Sequence, residues 1–146
     1  MKIVILSDSH GCPARIRRVM EMHRDADFVC FLGDGLSDLA GVEARYGIPV
    51  YAVRGNCDGF GLYDATPETR IVERAGHRLL LTHGHRFGAK GGTGGLIAAA
   101  RAEGCDIVLT HHPIVFHALK RFNSADPVQR CVERAIRSRI ALYACH

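Results

Sequence analysis

The chain has 146 residues, 47% of them hydrophobic and 23% charged, with a formal net charge of +4. That length can bury one core and leaves no room for a second full domain, so a single domain over residues 1–146 is expected. No apolar run approaches the ~20 residues of a spanning helix, the first residues read as a core strand rather than a basic leader, and no Lys/Arg run or Trp marks a nucleic-acid surface; a cytoplasmic protein without membrane contact is expected. Six Cys at positions 12, 30, 57, 105, 131 and 145 form no Cys-x-x-Cys pair, which suits reduced thiols better than disulfides or a zinc knot.

The first strand, of Ile and Val, closes in Leu6-Ser7-Asp8-Ser9-His10-Gly11. On an extended backbone Asp8 and His10 project to the same face, and Gly11 lets the chain turn away. A hard oxygen beside an imidazole suits a divalent transition metal, although an isolated Asp-x-His also reads as a plain turn. Pro13 at a first helical position and Ile16, Val19, Met20 and His23 on one face predict a helix. The apolar run Phe28 to Leu32 then ends in Gly33-Asp34-Gly35, and Leu39, Val42 and Tyr46 mark a second helix closed by Gly47.

The run Val50 to Val53 ends in Arg54-Gly55-Asn56-Cys57-Asp58. Ile71 to Arg74 and Arg78 to Thr82 flank Gly76-His77 and predict a hairpin, with His77 as a turn residue. That second arm leads into Thr82-His83-Gly84-His85. Gly88 to Gly95, with Lys90, reads as a loop without P-loop spacing. Leu96, Ile97 and Ala100 mark a helix closed by Gly104, and the strand Asp106 to Leu109 runs into Thr110-His111-His112-Pro113-Ile114. Asp126 as N-cap, Pro127 in the first turn, and Val128, Cys131, Val132, Ala135 and Ile136 at helical spacing predict the last helix. With the strand Ile140 to Ala144 it completes a βαβ unit. The expected fold is therefore α/β, a mostly parallel sheet layered by helices, with an inserted hairpin and a C-terminal βαβ unit.

Ligand types recurring beside glycines at strand ends can converge in one crevice of an α/β sheet. The order Asp-x-His, Gly-Asp, Gly-Asn-x-Asp, His-Gly-His resembles the calcineurin-like metallophosphoesterases, in their small single-domain phosphodiesterase branch, over about residues 1–109. The resemblance implies that Asp8 and His10 hold one metal, that Asp34 bridges to a second, and that Asn56 and His83 serve the second. It also implies two divalent cations, with manganese first and Fe, Zn, Ni or Mg as alternatives, and in-line attack on phosphorus by a hydroxide held between them. Asp34, Asn56 and His85 are the candidate catalytic residues, His85 as a phosphate contact. Larger relatives carry His where this chain has Cys57, which is read here as small and apolar.

After the strand Asp106 to Leu109 the family would read Gly-His-x-His. On that register His112 falls on the first His and Ile114 on the second, so one metal is short of a ligand. His111 is the nearest substitute, with His117 behind it. Neighbours on an extended strand face opposite ways, so His111 needs a kink at Pro113. The tail, about residues 106–146, also resembles the dinuclear metal-binding family labelled GTP cyclohydrolase type 2 homologues, in which both His of His-His-Pro bind metal; the Asp ligand expected after the position of His146 is not within the sequence. A natural recombinant, a truncation and a designed fusion all remain open.

These resemblances imply a metal-dependent phosphoesterase acting on a phosphate-ester small molecule or nucleotide, with activity weakened if the hybrid site is short of a ligand. The alternatives are a non-catalytic metal-binding or protein-interaction scaffold, as in the retromer subunit of this fold, and a nonfunctional fusion. Homo-oligomerisation is left open.

Overall fold

Nearly every strand sorts its apolar side chains by parity into two different cores. In β2 (Phe28–Phe31), the alternate residues Phe28 and Cys30 enter one cluster while Val29 and Phe31 enter another. The same split divides Leu79 and Leu81 from Leu80 in β5 (His77–Thr82), and Leu109 from Val108 in β6 (Ile107–Thr110). A strand covered on both faces reads as a continuous apolar run, which is why these segments show no polar alternation.

The computed structural model describes residues 1–59, 65–87 and 95–146. One sheet holds β1 (Ile3–Leu6), β2 and β3 (Val50–Ala52), all parallel, in the order β1-β2-β3. The other has the order β4-β5-β6-β7, where β4 (Thr69–Arg74) is antiparallel to β5, and β5, β6 and β7 (Ala141–Ala144) are parallel. Phe28, Cys30, Leu32 and Val53 from the first sheet meet Val72, Leu79, Leu81 and Leu109 from the second in a shared middle core. Outside it, α1 (Pro13–Met22) and α2 (Val42–Tyr46) cover the first sheet, while α3 (Gly95–Ala102) and α4 (Pro127–Arg137) cover the second. The layers run helix, sheet, sheet, helix.

The α/β class, the parallel pairing, the hairpin and the closing βαβ unit all match expectation. The single sheet does not: the hairpin starts a second sheet, which stacks on the first through the inner parity of each strand. Ala75 (φ +51°) and Gly76 (φ +80°) make the hairpin turn, both left-handed as a tight turn between twisted strands requires. His77 is therefore not in the turn; it opens β5 and its Nδ1 lies 2.5 Å from Asp106 Oδ2.

The second predicted helix is split into a 3-10 turn (Leu36–Leu39) and α2, which Gly47 closes in a left-handed conformation. In α4 Asp126 caps Gln129 N–H as expected, but Ile136 is 68% exposed. It lies one residue, about 100° of rotation, past Ala135, beyond the stripe of Val128, Cys131 and Ala135 that faces the core. All six cysteines are free thiols, and burial pushes Cys30 up to about 12. The Gly88 to Gly95 loop with Lys90 falls, but for Gly95, outside the described residues. No helix among the described residues is long and apolar enough to cross a membrane.

Candidate metal centre

Asp8 and His10 follow β1, Asp34 follows β2, Asn56 follows β3, His83 and His85 follow β5, and His111 and His112 follow β6. Two hydrogen bonds tie the first two loops together, Asp8 N–H to the Gly33 carbonyl (3.0 Å) and His10 N–H to the Asp34 carbonyl (3.2 Å). The loops after β2 and β3 touch through glycines. A Cβ on Gly33 would stand 2.4 Å from Gly55 N, and one on Gly55 would stand 2.1 Å from Asp34 Oδ1. Neither position admits a side chain.

Asp8 (φ +54°), His10 (φ +44°) and Asp34 (φ +60°) are left-handed rather than extended. Strand alternation therefore does not bring Asp8 and His10 together; the loop does, with His10 Nε2 3.4 Å from Asp8 Oδ2. Three non-glycine residues in this region at one site are a store of backbone strain.

His83 is fully buried. Its Nδ1 lies 2.7 Å from the Leu32 carbonyl, which can only accept, so Nδ1 donates there and Nε2 is the nitrogen left to meet a ligand. That Nε2 has no hydrogen-bond partner and lies 3.4 Å from Asp34 Oδ2. His111 shares the carbonyl contact, but one nitrogen makes both of its contacts: its Nδ1 lies 2.9 Å from the Cys145 carbonyl and 3.2 Å from Asp8 Oδ1. Metal-binding imidazoles are commonly oriented by such carbonyl acceptors at the other ring nitrogen. Burial holds His111 below the usual imidazole range against the pull of Asp8, which favours the neutral, ligating form.

Among the described residues, three groups bring potential ligand atoms within 4.8 Å of one another: Asp8, Asp34 and His83; His10, Asp34 and Cys57; and His83, His111 and His112. Asp34 is shared by two groups, as a bridging carboxylate would be. His112 is buried, and its ring stands edge-on to His83 at 4.7 Å between centroids. His111 and His112 both reach His83 because β6 ends at Thr110 and the two follow in a bend, where strand alternation no longer applies. Thr110 Oγ1 bonds the carbonyls of His83 (3.3 Å) and His112 (3.2 Å), pinning the two loops together.

Asn56 is exposed and its amide donates to Cys57 Sγ (3.2 Å). Cys57 is not an apolar filler. It is exposed, its thiol bonds the Asp34 carboxylate, and that carboxylate raises its pKa. His85 is half-buried, 5.5 Å between ring centroids from His83, and burial lowers its pKa. His117 is exposed, and Ile114 is buried in the core beneath α3 and α4.

Two carboxylates that the sequence reading passed over build the loops. Asp58 accepts four backbone N–H groups, from Asp34 (2.8 Å), Gly35 (2.8 Å), Leu36 (2.9 Å) and Gly55 (2.9 Å). Burial opposes its ionisation, yet these donors hold its pKa below the usual carboxylate range. Its place in Gly-Asn-Cys-Asp was the available signal. Buried Asp38 accepts from Gly11 N–H (2.9 Å) and Cys12 N–H (3.0 Å), fixing the entry to α1, and nothing local in the sequence marks it.

The chain is 29% identical over 115 residues to a probable metallophosphoesterase, YsnB, of Bacillus subtilis, matching 77% of this chain and 63% of that protein. Among solved structures, a predicted phosphoesterase from Streptococcus pneumoniae superposes with a TM-score of 0.63 at 28% identity, covering 75% of this chain and 60% of that one. The chain thus spans under two thirds of both. Vps29 of Entamoeba histolytica, solved with zinc, shares the fold at a TM-score of 0.59 and 20% identity, over 86% of this chain and 71% of its own. A local match of 41 residues at 37% identity links 28% of this chain to 11% of the GTP cyclohydrolase 1 type 2 homolog of Bacillus subtilis. The tail resemblance is thus minor beside the main one. The model of the calcineurin-like phosphoesterase superfamily domain matches residues 1–127, running past residue 109 and through His-His-Pro to the start of α4. The chain belongs to the calcineurin-like phosphoesterase superfamily.

Proposed function

We propose that this chain is a divalent-metal-dependent phosphoesterase acting on phosphodiesters or phosphomonoesters of small molecules or nucleotides. The contact between His83 and Asp34 carries the reading. An imidazole nitrogen without a hydrogen-bond partner and a carboxylate oxygen face each other at 3.4 Å in a buried position, two metal-ligand types placed so that one cation could be held by both. On this reading Asp8, His10 and Asp34 would hold one cation, manganese being the first choice, while Asp34, Asn56, His83 and His112 would hold the other, with His111 in reserve for the missing imidazole. Bound cations would supply Lewis acidity toward phosphate oxygens and lower the pKa of a water.

The chain's own residues do the rest. Asp34 couples the two positions, Asp58 fixes the loops that carry Asp34 and Asn56, and His85 would hydrogen-bond a phosphate oxygen. A reducing cytoplasm suits the six free thiols.

Elemental analysis of the purified chain, alongside manganese-dependent hydrolysis of bis(4-nitrophenyl) phosphate, tests the proposal. Two metals per chain and hydrolysis are expected, and Asp34→Ala should lose both the paired metals and the activity. An Asp34→Ala chain that keeps two metals would sink the ligand assignment; a metal-loaded chain hydrolysing neither diester nor monoester would leave a metal-binding scaffold.

A further inference from the structure

Beside the imidazole cluster lies a cavity of about 390 Å³ lined by Ile114, Phe116, His117, Val128 and His146. It opens where the cluster ends: the His146 ring stacks on His111 at 4.9 Å and 28°, and Phe116 stands edge-on to His146 at 5.4 Å and 79°. His111 in turn is 3.2 Å from Asp8. One imidazole therefore separates the cavity wall from the carboxylate proposed to hold metal. Val128 and His146 lie beyond the stretch that matches the family model, so the cavity is built in part from this chain's own tail.

We propose that this cavity is an aryl subsite, and that the substrates preferred by this chain carry an aromatic ring on the phosphate. The inference rests on the phosphoesterase reading above. Four features of the cavity support it. Ile114 and Val128 offer aliphatic surface, and Phe116 and His146 offer ring faces at right angles, the arrangement that packs a third ring both by stacking and edge-on. Among the described residues the lining has no Lys or Arg to receive a second phosphate, and no side-chain amide or carboxylate to read the edge of a nucleobase. Its volume lies in the range of small-molecule pockets, which are mostly apolar with few polar groups. Phe116 is 45% exposed and costs solvent contact where it stands, which a bound ring would relieve.

The test is equilibrium binding of phenylphosphonate and methylphosphonate to the manganese-loaded full chain by calorimetry, a readout that needs no turnover. Both present the same phosphonate head and differ in the ring. Phenylphosphonate is expected to bind about tenfold tighter, a modest share of what burying a ring can contribute. In Phe116→Ala that ratio should fall toward one, while Phe116→Tyr should keep it, since the ring and not the bulk alone is recognised. Equal binding of the two ligands by the unaltered chain, or a ratio untouched by Phe116→Ala, overturns the aryl subsite and leaves the phosphoesterase reading standing. If neither phosphonate binds the metal-loaded chain, both readings fall.

Discussion

At the scale of single residues, the site turns on which atom of each side chain is already committed. His83 and His111 each spend Nδ1 on a backbone carbonyl, so the remaining nitrogen is aimed before any ligand arrives. Cys57 is the residue whose role the sequence misjudged. Its thiol donates to Asp34 and sits in one group with His10, so a serine, which also donates, should replace it with little effect. Cys57→Ser is expected to keep the rate of aryl phosphodiester hydrolysis within about threefold, whereas removal of a true proton donor costs roughly a hundredfold or more. Steady-state rates of the two chains at matched metal content decide between them. Asp8, His10, Asp34 and His83 stood out in the sequence because ligand types beside glycines recur at strand ends, and His112 stood out through the family register; the structure gathers them around Asp34 and His83. Asp38 was not, because its partners are the backbone of Gly11 and Cys12, met only after folding.

At the scale of elements, the glycines after β2 and β3 matter more than any contact between helices. Gly55→Ala would drive a methyl group to 2.1 Å from Asp34 Oδ1 and 2.6 Å from Asp34 N, backbone and ligand alike. It should cost about 2–3 kcal/mol of stability, the scale of an overpacked site, and weaken metal binding with it. Urea denaturation with and without metal reads both; a shift under about 0.5 kcal/mol, as for ordinary surface changes, would mean that the two loops are not in contact as described. Helix signals were the most readable part of the chain: Pro13, Gly47, Gly104 and Asp126 all mark ends where the structure puts them. The strands were legible as strands but not as two sheets. A run buried on both faces has the same composition whether its inner face meets a helix or another sheet, and only the packing of Leu79 and Leu81 against Phe28 and Leu32 separates the two.

At the scale of the whole molecule, the centre draws on both sheets, with Asp8, His10 and Asp34 from one and His83, His111 and His112 from the other. A cation shared between them would clamp the sheets together, so binding should be read out as stability. The two positions should be unequal, because Ile114 is packed into the core where the family would supply an imidazole. Thermal melts across a manganese titration are expected to rise in two phases, a tight one assigned to the His83 side and a weak one assigned to the Asp8 and His10 side. His10→Ala should then remove the weak phase and spare the tight one. A single phase, or loss of the tight phase in that variant, would reverse the assignment of ligands to sites.

The left-handed backbone at Asp8, His10 and Asp34 also limits which amino acids this centre can ever use. Asp, Asn and His are the non-glycine residues that tolerate that conformation best, through short side chains that bond their own backbone. Glu has the same carboxylate with a longer stem, and Cys a stronger bond to soft metals, but neither shares that tolerance. The conformation of the chain thus acts as a filter on the alphabet of donors. It keeps the first position built from oxygen and imidazole, and leaves drift toward softer metals to His83, His111 and His112, whose backbone makes no such demand.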